Sequence, residues 1–238
     1  MRIAVIRPQA DSERTACALR ARGHDVLVSP LMRVETVTAE LSGGWGAVII
    51  TSANAPGAIA ANPARDALIK RPLFAVGRRS ADAARAAGFA DIASAGGDVE
   101  DLVRLVVGRR ADATAPLLYL AGEERAVDLV GELTARGLAA EMRVVYRAVT
   151  APFPLELIAA LTEGEVDAVL HFSRRSAENY IVGAAQTGIA GPALKPQHFC
   201  LSAQIAEPLA AAGASRVTIA RHPNEAALID LVDEPQRD

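Results

Sequence analysis

Several clusters in this chain set hydroxyl side chains, small residues and arginine directly after a short apolar run. They are Arg7-Pro8, Thr51-Ser52-Ala53-Asn54, Gly77-Arg78-Arg79-Ser80, Ala121-Gly122-Glu123-Glu124-Arg125, Ser173-Arg174-Arg175-Ser176 and Ser202-Ala203-Gln204. Each opens a stretch that reads as helical, so unpaired backbone N–H groups, a hydroxyl and often a guanidinium gather at a helix start. Free N–H groups and the helix dipole attract anions there, and arginine grips carboxylates with two parallel hydrogen bonds. One serine in such a place is an N-cap and nothing more. Recurrence at the ends of successive apolar runs points instead to a cleft that holds a small polyanion.

Other chemistries find little support. Neither a G-x-x-x-x-G-K-[ST] loop nor a G-x-G-x-x-G turn follows a strand, which removes the main basis for nucleotide binding. His24, His171, His198 and His222 are scattered without an i, i+4 pair or a cysteine partner, so no metal is expected. His171 lies inside an apolar run and reads as a satisfied core or rim histidine. No G-x-S-x-G elbow supports a serine hydrolase. The net charge of −3 argues against a nucleic-acid partner. Lys70 and Lys195 are the only lysines; a GC-rich genome accounts for the excess of arginine, so position must show which arginines matter. Cys17, in an expected helix, and Cys200, in an expected strand, read as buried, inert thiols of a reducing compartment. The opening Met1-Arg2-Ile3-Ala4-Val5-Ile6-Arg7-Pro8 is too short for a signal peptide, and no apolar run spans a bilayer. A cytoplasmic protein without a membrane partner is expected.

The elements that must position these clusters form a pattern written twice. Ala47-Val48-Ile49-Ile50-Thr51-Ser52 is echoed by Ala168-Val169-Leu170-His171-Phe172-Ser173, and Phe74-Ala75-Val76-Gly77 by Phe199-Cys200-Leu201-Ser202. Further on, Ala81 answers Ala206, Gly88 answers Gly213, and Asp91-Ile92-Ala93 answers Arg216-Val217-Thr218. Brief buried strands that alternate with amphipathic helices predict a parallel sheet in each copy, with ligands beyond the carboxyl ends of the strands. The second copy has strands near 167–172, 198–202 and 216–220, too few for a sheet of its own. The β-α-β unit at residues 3–28 supplies the rest. The fold class is therefore α/β, with two similar domains, each a parallel sheet flanked by helices. Residues 1–32 and 150–238 form a discontinuous domain, and 38–142 an inserted one. The alternating stretches 31–37 and 143–149 join them as a two-stranded connector with a hinge, and the active-site cleft lies between the domains. Residues 108–114 are read as loop, and the charged residues 233–238 as a frayed end.

These residues resemble a known family. Val48-Ile49-Ile50-Thr51-Ser52-Ala53-Asn54-Ala55, Phe74-Ala75-Val76-Gly77-Arg78-Arg79-Ser80-Ala81 with Gly88 closing the helix, and Leu120-Ala121-Gly122-Glu123-Glu124-Arg125 are similar to the strand-end motifs of uroporphyrinogen-III synthases. Val145-Tyr146-Arg147 resembles the family's connector tyrosine, and Arg7-Pro8 its first strand end. The second copy departs from the pattern: Ser202 stands where the family usually has glycine, Ile205 where it has a hydroxyl, and Ala203-Gln204 replaces a proline-rich turn. The resemblance implies cyclisation of hydroxymethylbilane, a linear tetrapyrrole with eight carboxylates, with inversion of the last pyrrole ring and loss of water, and without cofactor or metal. It implies Tyr146 as the group that assists the departing hydroxyl. Arg7, Ser52, Ala53, Asn54, Arg78, Ser80, Gly122, Arg125, Ser173 and Arg174 are implied as substrate contacts. A monomer is expected, with passing contact to the enzyme that precedes it. Two other readings stay open: a non-catalytic two-lobed sensor of an acidic metabolite, and a two-domain sugar transferase, which the missing nucleotide motifs disfavour.

Overall fold

The computed structural model describes residues 1–109, 115–125 and 127–234. Most of the loop read at 108–114, and the tail beyond 234, lie outside them. The chain divides into two compact units, Met1–Arg33 with Val149–Asp238, and Val34–Ala148.

In the first unit, strands β1 (Arg2–Val5), β2 (Asp25–Val28), β9 (Ala168–His171), β10 (Gln197–Cys200) and β11 (Val217–Ile219) form one sheet in the order β11-β10-β9-β1-β2. Its neighbours run parallel, with Ile3 opposite Ala168 and Val5 opposite Leu170. Helices cover both faces, which is why Ile3, Ala4, Val5 and Ile6 are an unbroken apolar run rather than an alternating one. Helices α1 (Gln9–Arg20) and α11 (Glu225–Asp233) pack on one face through Ala16, Leu19, Leu228 and Val232. The other face takes α7 (Leu155–Thr162), α8 (Arg174–Gln186), α9 (Ala190–Ala193) and α10 (Ala203–Ala211). Helix α1 buries Ser12, Thr15, Ala16 and Leu19, one stripe at helical spacing. That stripe leaves Cys17 on the outer side, so this thiol is exposed and not buried as the sequence pattern suggests; Cys200 is buried.

The second unit holds β3 (Met32–Thr36), β4 (Ala47–Ile50), β5 (Leu73–Ala75), β6 (Ile92–Ser94), β7 (Leu117–Gly122) and β8 (Ala140–Thr150), in the order β3-β8-β7-β4-β5-β6. Helices α2 (Asn54–Ala58), α3 (Arg65–Leu68) and α4 (Arg78–Ala86) cover one face, and α5 (Val99–Gly108) and α6 (Leu129–Thr134) the other. This sheet is mixed rather than wholly parallel. Val37 N–H donates to the Val145 carbonyl at 2.8 Å and Ala151 N–H to the Leu31 carbonyl at 2.9 Å, so residue numbers rise along one strand as they fall along the other. The connector stretch at 143–149 is part of a longer strand, because β8 already pairs with β7 from Ala140 and continues to Tyr146.

The duplicated pattern is visible in the strand order. In the second unit β6-β5-β4-β7-β8 follows the same path as β11-β10-β9-β1-β2 in the first. Gly88 and Gly213 close the corresponding helices α4 and α10 with φ of +102° and +94°, a conformation open to glycine at little cost. Beyond them, Phe89 N–H reaches the Ala84 carbonyl at 3.1 Å and Ala214 N–H the Leu209 carbonyl at 3.0 Å, the bond of a Schellman cap.

A polar pair interrupts the first core. His171 on β9 and His198 on β10 are fully buried and share one hydrogen bond, Nε2 to Nδ1, at 3.1 Å. Tyr180 packs edge-on against both rings and donates to the Ala193 carbonyl at 2.8 Å. His171 is thus only half satisfied: its Nδ1 has no hydrogen-bond partner among the described residues. Burial holds His198 down at about 4, against the pull of the Ala193 carbonyl. Burial and then the His198 ring depress His171 as well. Both pKa values are lower in the folded chain than in the unfolded one, so their stability contribution is complete above the ordinary histidine pKa. It is lost as pH falls below that, until the folded state also takes up the proton. Lowering the pH from 7.5 to 5 should therefore cost roughly 2 kcal/mol through His198 alone, with His171 adding in the same direction. Urea unfolding at the two pH values will show it. His198→Leu should flatten the dependence, and an equal loss in that variant contradicts the assignment.

Candidate functional site

In the second unit the chain leaves β4 toward β5 on one side and later returns through β7 on the other. The carboxyl ends of β4 and β7 therefore flank the point where strand order reverses, the usual ligand position in such sheets. A cavity of about 270 Å³ opens there, lined by Thr51 and Ser52 after β4, Tyr119, Gly122, Glu124 and Arg125 from β7 and its loop, and Tyr146 from β8. A neighbouring cavity of about 390 Å³ shares Tyr119 and Arg125 with it and reaches Met142.

The position of Tyr146 follows from an irregularity in the ladder. Ala121 pairs with Val144, but Gly122 pairs with Tyr146, so Val145 is an extra residue on β8. Such a bulge turns the next side chain to a new direction and is common beside active sites. Val145 packs into the core, and Tyr146 faces the cavity. The ring then lies against the backbone of Gly122. A Cβ at that position would come within 2.7 Å of Tyr146 Cζ and 2.8 Å of its hydroxyl. Any side chain here would have to displace the Tyr146 ring.

Around this ring the polar groups are few and held. Thr51 Oγ1 and the Tyr119 hydroxyl share a hydrogen bond of 2.8 Å. Burial pushes the Tyr119 phenol up; the Thr51 bond and Arg125 pull the other way, while Tyr146 adds to the rise. Arg125 Nη1 donates to the carbonyls of Gly122 and Glu123 at 3.0 and 2.8 Å, which fixes the loop after β7 and leaves other N–H groups of the guanidinium for a ligand.

The remaining sequence-derived residues lie as follows. Ser52 accepts a bond from Asn54 N–H at 3.2 Å, and Ala53 is the N-cap of α2. That helix has only five residues, so the anion-attracting dipole expected at its start is weak. Arg78 is the exposed first residue of α4, whose N-cap is Gly77; Ser80 is buried inside the helix and caps nothing. In the first unit Ser173 does cap α8, accepting from Ser176 N–H at 3.1 Å. Arg174 is exposed and paired with Glu178 and Glu207. Arg7, at the corresponding reversal point beside β9, is already occupied: it stacks 4.0 Å over the Phe172 ring and pairs with Glu225 at 3.2 Å. Burial raises the Glu225 carboxyl, but bonds from Thr15 and Arg14 and the charges of Arg7 and Arg14 outweigh it and hold it below the usual range.

Thr51 and Tyr119 were not among the candidates taken from the sequence. Thr51 stands in a strand-end cluster in which Ser52 is the hydroxyl named as a contact. Tyr119 carries the one polar side-chain atom in Leu117-Leu118-Tyr119-Leu120-Ala121, which was a usable signal.

Comparison with known proteins places this geometry in context. The family model of uroporphyrinogen-III synthase (HEM4, HemD) matches residues 13–230. No curated protein matches the sequence. Among solved structures, the uroporphyrinogen-III synthetase from Helicobacter pylori aligns over 98% of both chains at 18% identity with a TM-score of 0.63. A mutant uroporphyrinogen III synthase from the extremely thermophilic bacterium Thermus thermophilus aligns over 98% of this chain and 97% of its own, at 17% identity and a TM-score of 0.50. At these identities the two structures speak for the fold.

If Gly122 is the seat of the Tyr146 ring, Gly122→Ala should destabilise the protein by about 1–3 kcal/mol, the usual cost of overpacking. Adding Tyr146→Ala should recover most of that loss, since the two substitutions act on one contact. Denaturant unfolding of both variants is the check. Strictly additive losses would mean that the close approach does not exist in solution.

Proposed function

The chain belongs to the uroporphyrinogen-III synthase family, a family of cyclising lyases in tetrapyrrole biosynthesis, and from that premise we propose that the cavity around Tyr146 is where its ring closure takes place. The reaction converts hydroxymethylbilane to uroporphyrinogen III, with inversion of the last pyrrole ring and release of water. The observation that carries the proposal is the Tyr146 phenol, seated on Gly122 beside Thr51, Tyr119 and Arg125 at the reversal point of the second sheet.

In this reading the substrate pyrroles supply the electrons, and the protein's task is chiefly to hold a flexible chain in the folded form that inverts. Correct placement of reacting groups can be worth roughly 7–11 kcal/mol. Tyr146 donates to the departing hydroxyl as its C–O bond breaks, and water leaves. Closure of the ring releases a proton from carbon, which returns to the phenolate, so the residue ends as it began. Ser52, Gly122, Arg125 and the backbone N–H groups at Ala53 and Asn54 receive substrate carboxylates, with Arg78 and Ser173 as further contacts; Ser80, buried in α4, is given no share. Arg7 and Arg174 hold acidic partners of their own, so they bind a carboxylate only by exchanging those partners. We assign them the smaller share.

We further propose that the protein acts as a monomer in the cytoplasm, with brief contact to the enzyme that forms hydroxymethylbilane. Among the described residues no helix is long and apolar enough to cross a membrane.

Tyr146→Phe keeps the ring on Gly122 and removes only the hydroxyl. The rate with freshly generated hydroxymethylbilane should fall on the order of a hundredfold, as expected for one positioned proton donor, while the type III isomer stays dominant. An unchanged rate removes Tyr146 from the chemistry. Type I product at a near-normal rate of substrate loss would show that the phenol governs isomer choice instead.

A further inference from the structure

We propose that Tyr119 is a positioning residue which fixes the Thr51 hydroxyl as a hydrogen-bond donor aimed into the cavity, where it receives a carboxylate of the tetrapyrrole. The inference rests on the site proposed above and adds two residues to it. Tyr119 is buried, 4% exposed, in the middle of β7, in the same apolar cluster as Ala47, Ile49, Phe74 and Leu129. Such packing leaves the ring one orientation, so the hydroxyl has a fixed place. Its partner Thr51 follows β4, is half buried and lines the cavity.

Each hydroxyl carries one proton, and the 2.8 Å bond between them uses one of the two. A phenol is the more acidic group and the better donor, so Tyr119 donates and Thr51 accepts. The Thr51 proton is then left over. Tyr119 cannot take it, since its own O–H already points along the bond, and so the Thr51 O–H turns to the cavity. A hydroxyl that accepts one bond also donates a stronger second one. Burial pushes the Tyr119 phenol up, so it keeps its proton at neutral pH and can donate. Arg125 lines the same cavity with N–H groups to spare. A neutral donor of fixed direction beside a guanidinium suits a carboxylate, and the proposed substrate carries eight.

The pair makes a pattern of effects that packing alone does not. Tyr119→Phe keeps the ring and frees Thr51 to rotate. Thr51→Val keeps the shape and removes the donor, whereas Thr51→Ser keeps the donor. Binding of uroporphyrin III, a fluorescent octacarboxylate with the product's side chains, would be titrated for each variant, with KM and kcat for hydroxymethylbilane alongside. Tyr119→Phe and Thr51→Val should each weaken binding and raise KM roughly tenfold, as expected for one hydrogen bond to a charged group, with kcat within about twofold. Thr51→Ser should stay near wild type, and the double variant should be no worse than Thr51→Val alone. Multiplicative losses in the double variant, or a Thr51→Ser as weak as Thr51→Val, overturn the proposal and leave Tyr119 a packing residue. A silent Tyr119→Phe overturns it as well. Binding is read without turnover, so a wild-type protein that fails to cyclise the substrate would count against the proposed reaction and still leave this test intact.

Discussion

One extra residue on one strand sets the geometry of the proposed site. Val145 has no counterpart on β7, and with it the alternation of β8 slips by one position. Ala140 and Met142 pack on one face of the sheet and Val145 on the other, as plain alternation gives. The extra residue then sets Tyr146 opposite Gly122, where its ring packs beside that core, lines the cavity and lies close over a neighbour without a side chain. The bulge and the glycine are therefore one device. Glu123 N–H donates to the Tyr146 carbonyl at 3.0 Å, and Arg125 bonds back to the Gly122 carbonyl at 3.0 Å, so the loop that follows β7 is fixed by the same contact. Phenol, guanidinium and the hydroxyl of Thr51 are thus placed by main-chain pairing, whose cost is met by the sheet as a whole.

The same plan built twice has given two different results. Both units reverse strand order beside an apolar strand and close the following helix on a left-handed glycine, Gly88 or Gly213. In the first unit Arg7 is stacked on Phe172 and neutralised by Glu225, a residue far along the chain in α11. In the second unit the corresponding place is an open cavity lined by the hydroxyls of Thr51, Ser52, Tyr119 and Tyr146 together with Arg125 and Glu124. An arginine that already has a carboxylate gains little from exchanging it for another in water. This is the physical reason to give Tyr146 and Arg125 more weight than Arg7, although all three were visible as strand-end residues.

The fold was legible because it is written in periodicity and repetition. The apolar runs at 47–50 and 168–171 mark equivalent strands, and the paired glycines at 88 and 213 mark equivalent helix ends. The shortage of strands in the second copy pointed to residues 3–28, and β1 lies between β2 and β9. What escaped was what depends on contacts distant in sequence. Whether Arg7 is free depends on Glu225, and nothing near Arg7 reveals that. The bulge at Val145 is invisible in a pattern that alternates on both sides of it. Ser80 reads as a strand-end substrate contact, but the helix begins at Arg78 and carries the serine inward. Cys17, isolated in an expected helix, reads as buried, yet the buried stripe of α1 passes on its other side.

The central claim is that the tetrapyrrole is held at the reversal point of the second sheet. Amide hydrogen exchange with and without bound uroporphyrin III measures this directly. The account predicts new protection in residues 51–55, 122–125 and at Tyr146, with the N-terminal strand edges around Asp167 and Arg216 unchanged. Protection confined to those strand edges, with 51–55 and 122–125 exchanging as in the free protein, would contradict it.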